Sequence, residues 1–72
     1  MKPPTQKMVE VLMDCHEREL LHLEPYDAGS VHFATGLIQR GMIGTRAYIT
    51  EKGKNIMAFY VTYVGKSYLK NI

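Results

Sequence analysis

Two groups of side chains in this 72-residue chain are of a type and spacing that could do chemistry. Cys15, His16 and His22 carry metal-ligating atoms, and Arg40, Arg46, Lys52 and Lys54 are cations suited to phosphate. The first group fails on spacing. His16-Glu17 opens like the helical zinc-protease motif, but that site needs a second histidine four residues on, and position 20 is Leu20. Cys15, His16 and His22 match no zinc pattern either, so Cys15 is expected in the core and no metal is expected. No serine, cysteine or carboxylate has a recognisable base partner, and no glycine-rich phosphate loop occurs. Neither enzyme activity nor a cofactor is expected.

The cations are unevenly placed. Residues 1–36 carry Lys2, Lys7 and Arg18 against Glu10, Asp14, Glu17, Glu19, Glu24 and Asp27, a balance of −3. Residues 37–72 carry Arg40, Arg46, Lys52, Lys54, Lys66 and Lys70 against Glu51 alone, a balance of +5. A basic half is compatible with nucleic acid, although six dispersed cations also make an ordinary solvated face.

A chain this short makes one domain, 1–72, and buries only about 60% of its unfolded surface. Its single cysteine forms no intrachain disulfide, so stability must come from packing, with help from a partner subunit as one route. No apolar run approaches a membrane span, and the opening Met1-Lys2-Pro3-Pro4-Thr5 lacks the apolar core of a signal peptide. The expectation is a cytoplasmic protein with no membrane partner.

The elements that must position these residues follow from capping and periodicity. Thr5 is a plausible N-cap, Met8, Val11, Leu12 and Cys15 recur at helical spacing, and Asp14 to Arg18 is a favourable pair four residues apart. A helix is expected over 5–20. Pro25 forces extended geometry on its predecessor, so 25–29 holds a short turn or a one-turn helix, or merges into the following helix. A helix over 30–40 places Ala34, Leu37 and Ile38 on one face and closes at Gly41. Gly36 inside it costs about 1 kcal/mol relative to alanine, which calls for a reason such as close packing on the first helix. Met42-Ile43 and Ala47-Tyr48-Ile49 read as a short hairpin over 42–49 around Gly44-Thr45-Arg46. Thr50 reads as the cap of a helix over 50–64 with Ile56, Met57, Tyr60, Tyr63 and Val64 at helical spacing, followed by a tail over 65–72. The β-rich run Phe59-Tyr60-Val61-Thr62-Tyr63-Val64 makes a strand the competing reading.

Leu37-x-x-Arg40-Gly41-Met42-Ile43, followed by Tyr48-x-Thr50-x-x-Gly53-Lys54, resembles the recognition-helix end, wing and following helix of prokaryotic or phage winged helix-turn-helix domains. The resemblance covers about residues 30–56, with a shortened second helix and a short wing. It implies a mainly α fold with a small β-hairpin, Leu37, Ile43 and Ile49 in the core, Arg40 and Gly41 at the helix end and Arg46 at the wing tip. It further implies a double-stranded DNA partner and a role as a transcriptional regulator or accessory factor. In that reading Ser30, His32, Thr35 and Gln39 face base edges, while Arg40, Arg46, Lys52 and Lys54 bind phosphate. The alternative is a degenerate winged helix of a small phage-like or mobile-element factor, used for protein–protein contact without DNA. Apolar and aromatic residues on nearly every side of the C-terminal segment point to Phe59, Tyr60, Tyr63, Val64 and Tyr68 as a homodimer or partner interface.

Overall fold

The computed structural model describes residues 2–29 and 34–72. In order along the chain lie α1 (Gln6–Leu20), α2 (Ala34–Gln39), β1 (Ile43–Ile49), β2 (Asn55–Val61) and α3 (Tyr63–Lys70). Among the described residues this is a mixed α+β arrangement of three helices and one antiparallel hairpin, a layout compatible with a winged helix.

Helix α1 forms as its spacing implies. The Thr5 hydroxyl accepts a bond from the Met8 N–H at 3.2 Å, and the apolar stripe delivers Leu12 and Cys15 into the core. Its end carries no glycine. His22 takes the left-handed conformation (φ 56°), with Leu23 N–H donating to the Arg18 carbonyl at 2.9 Å and His22 N–H to the Glu19 carbonyl at 3.3 Å. This is the paired closure that helix ends usually build on glycine. Gly41 (φ 72°) closes α2 in the same way, with Met42 N–H on the Leu37 carbonyl at 3.0 Å and Gly41 N–H on the Ile38 carbonyl at 2.9 Å.

Residues 25–29 form no helix. They run extended along the outer edge of β2: Phe59 N–H donates to the Tyr26 carbonyl at 3.2 Å and Ala28 N–H to the Met57 carbonyl at 2.7 Å, bridging Asp27 to Ala58. The strand edge has unpaired backbone groups to satisfy, and the Pro25 constraint already favours extended chain. The expected start of the second helical segment, at Ser30 and His32, lies outside the described residues. Gly36 lies against α1, since a β-carbon there would run into the Met8 thioether.

The hairpin departs most from expectation. Residues 43–49 form one strand, not two, and 55–61 form its partner in place of the expected helix over 50–64. The strand alternative for Phe59 onward holds as far as Val61. The pairing runs from Ile43 opposite Val61 to Ile49 opposite Asn55. The turn falls at 50–54, where Gly53 (φ 81°) donates to the Thr50 carbonyl at 2.8 Å and Lys54 N–H to the Thr50 hydroxyl at 3.1 Å. Thr50 therefore caps a turn. The expected tail contains α3, whose cap is Thr62, accepting from Gly65 N–H at 3.2 Å.

The core is Leu12, Cys15, Ala34, Leu37, Met42, Ile43, Phe59 and Val61, with Met8, Val11, Tyr26, Tyr68 and Leu69 among the partly buried residues around it. Leu37 and Ile43 are core as expected; Ile49 is 68% exposed and is not. The helices cover only the base of the hairpin, and Ile49 sits at its far end. Ile38 is likewise exposed, although it was expected on the buried face of its helix.

Candidate nucleic-acid interface

The four expected phosphate ligands separate in space. Lys52 and Lys54 lie exposed at the hairpin turn with Glu51 between Thr50 and Lys52. Arg46 is not at the tip. It lies midway along β1 opposite Ala58, its guanidinium 5.4 Å from the centre of the Tyr60 ring. Arg40 is turned inward to backbone carbonyls: Nη1 donates to Gly36 at 2.8 Å and Nε to Lys2 at 3.1 Å. A guanidinium held between the Gly36 carbonyl of α2 and the Lys2 carbonyl supports that helix end and has less freedom for phosphate. Of the expected base-reading residues, Thr35 and Gln39 are exposed on α2, and Ser30 and His32 lie outside the described residues.

The expected aromatic interface also divides. Phe59 is buried in the core and Tyr68 packs against it, because strand alternation at Phe59 and the α3 periodicity turn both inward. Tyr63 is 85% exposed and Val64 about half exposed at the start of α3. Tyr60 lies half-buried across Gly44, where a β-carbon would stand 2.7 Å from its hydroxyl oxygen.

No protein-family model, curated protein or solved structure matches this chain. The chemistry must be read from its own side chains.

Opposed residues of a hairpin share a face, so Gly44, Arg46 and Tyr48 lie on the same face as Tyr60, Ala58 and Ile56. Arg46, Tyr48 and Tyr60 of that face, with Phe59 and Val61 of β2, line an open groove of about 540 Å³. The end of α1 and the 22–25 segment contribute Arg18, Glu19, Leu23 and Pro25 to its lining, and α3 contributes Lys66. Arg18 is already engaged: Nη1 donates to the Glu24 carbonyl at 2.7 Å, the guanidinium lies 4.0 Å over the Tyr26 ring, and Nε is 3.6 Å from Asp14. The Tyr26 hydroxyl donates to the same Asp14 carboxylate, tying the 24–26 segment to α1. Glu19 accepts the Val61 N–H at 3.0 Å. The groove was not legible in the sequence because Arg46 and Tyr48 share a face only if 43–49 is one continuous strand.

At the other chemical candidate, Cys15, burial followed by the nearby Asp14 and Glu19 carboxylates pushes the thiol up to about 11. The thiolate needed for metal binding or nucleophilic attack is therefore disfavoured at neutral pH. His16 faces Glu19 at 4.0 Å, and among the described residues no three His, Cys, Asp or Glu side chains are placed to hold a metal.

Proposed function

We propose that this chain is a small winged-helix protein that binds duplex DNA as a transcriptional regulator or accessory factor. The observation that carries the reading is the length of the hairpin. Strands of seven residues span about 23 Å at the usual rise, well beyond a stub, and they carry Lys52 and Lys54 at their exposed turn. In this reading the hairpin is the wing and its lysines meet phosphate, while Thr35 and Gln39 on α2 contact base edges. One helix stands between the Asp27 bridge and β1 among the described residues, so phosphate contacts from a full helix-turn-helix pair are not part of the proposal.

The magnitude follows from the side chains left free. Four phosphate contacts would give a slope of about −3.6 in log K against log salt. With Arg40 on carbonyls and Arg46 midway along β1, away from the tip, the two tip lysines alone give about −2. Titration of a labelled random duplex at low salt tests this: micromolar binding is expected, weakened by Lys52→Ala with Lys54→Ala. Absence of binding at ~50 µM protein would refute the reading, since nonspecific binders usually reach that range.

A second reading, protein–protein contact by a degenerate winged helix, has its own observation in the exposed Tyr63 and Val64. Sedimentation of wild type and Tyr63→Ser separates the two. A dimer lost in the variant favours contact through α3, and a wild-type monomer at tens of micromolar removes the homodimer.

A further inference from the structure

We infer that the groove on the Arg46–Tyr48 face of the hairpin takes an unpaired nucleotide of a nucleic-acid strand, with Arg46 and Lys66 meeting its phosphate and the tyrosines its base. This stands apart from the duplex reading, because it uses neither the hairpin tip nor α2.

The charge at the groove is the first support. Glu19 is held by the Val61 N–H and Arg18 by Glu24, Asp14 and Tyr26, so both are structural parts of the lining. Arg46 and Lys66 are exposed, and among the described residues neither has a carboxylate within salt-bridge distance. Arg46 and Lys66 outnumber the Glu19 carboxylate that also lines the groove, so the concave surface keeps a net positive charge and favours an anion. The size and lining specify the anion further. A groove of about 540 Å³ falls within the usual range for small-molecule sites, far larger than one inorganic ion needs. Tyr48 and Tyr60 are both half-buried in its lining, and Tyr60 is supported by the bare backbone of Gly44. A supported aromatic ring beside an arginine is the combination on which single-stranded nucleic acids stack, with little sequence preference. A β-carbon at position 44 would displace the ring, so the glycine is part of the platform. An acidic peptide would satisfy the cations but leave the ring surfaces without a matching partner.

The test uses the full chain and a labelled ten-nucleotide oligothymidylate at low salt, followed by fluorescence anisotropy. Binding in the micromolar range is expected. Arg46→Ala with Lys66→Ala should weaken it by about tenfold or more. Tyr48→Leu should weaken it by about 5- to 100-fold, whereas Tyr48→Phe, which keeps the ring, should bind like wild type. Lys52→Ala with Lys54→Ala should leave oligothymidylate binding within about twofold while weakening duplex binding, so failure of this site and failure of the duplex reading are distinguishable. Thermal melts establish that each variant is folded. Thymidine monophosphate should compete where inorganic phosphate at the same concentration does not. The inference is overturned by no binding at ~100 µM, by full binding in the Arg46/Lys66 variant, or by competition from oligoglutamate equal to that from the oligonucleotide.

Discussion

Gly65→Ala reverses the usual sign of a glycine-to-alanine change in a helix. Such a substitution ordinarily gains up to about 1 kcal/mol from helix propensity. Here a β-carbon would collide with the backbone carbonyl oxygen of Met42 and stand 2.8 Å from a Val61 methyl. A backbone carbonyl cannot rotate aside, particularly one that already accepts the Thr62 N–H at 3.0 Å. Overpacking at such a site costs about 2–3 kcal/mol, and subtracting the propensity gain leaves a net loss of about 1–2 kcal/mol. For a domain of this size that lowers Tm by about 4–16 °C. Gly36→Ala is the internal control. Its β-carbon also meets close atoms, but they are the far ends of the flexible Met8 and Arg40 side chains, which can move aside, so the change should fall within about 1 kcal/mol of neutral. Paired thermal and urea melts by circular dichroism measure both. A Tm for Gly65→Ala equal to or above wild type, or equal losses at the two glycines, would refute the distinction between rigid and yielding neighbours.

Gly53→Ala should cost about 1–2 kcal/mol in the same melts although nothing lies within 4 Å of its β-carbon position, because φ at 81° is strained for any L side chain. His22→Gly should raise stability by about 0.5 kcal/mol: relief of the left-handed strain at φ 56° exceeds the added freedom of the unfolded chain. Cys15 should make stability pH-dependent, since its thiol is raised from 9.0 to about 11 by burial and neighbouring carboxylates. The folded state holds this proton more tightly, so the contribution is complete below pH 9 and is lost as pH rises towards 11, on the order of 3 kcal/mol in all. Urea midpoints from pH 8 to 11, compared with Cys15→Ala, isolate that loss, and parallel curves would contradict it.

The pattern Thr-x-x-Gly-Lys has two structural outcomes in this chain. It occurs at 50–54 and again at 62–66, and the cap expected at Thr50 is found at Thr62. At 50–54 the threonine closes a hairpin turn; at 62–66 it starts α3, with its N–H on the Met42 carbonyl and its hydroxyl donating to the Gly41 carbonyl. Those partners lie some twenty residues away in the chain, so nothing local separates the two copies. Gly44 misleads in the same way: a glycine between two strand-like runs suggests a turn, but its bare backbone is what receives the Tyr60 ring within a continuous strand.

Local rules were sufficient for α1, with its threonine cap and its Met8, Val11, Leu12 and Cys15 stripe, and for the glycine end of α2 at Gly41. Each depends on groups within about one helical turn, so the sequence by itself determined them, together with the acidic first half and basic second half. Long-range packing set where the cations stand: Arg40 closes on the carbonyls of Gly36 and Lys2, Arg46 lines the groove beside Tyr60, and Lys52 and Lys54 stay at the exposed turn. It also decided that 26–28 completes the edge of β2, because the hydrogen bonds and ring faces involved join residues distant along the chain.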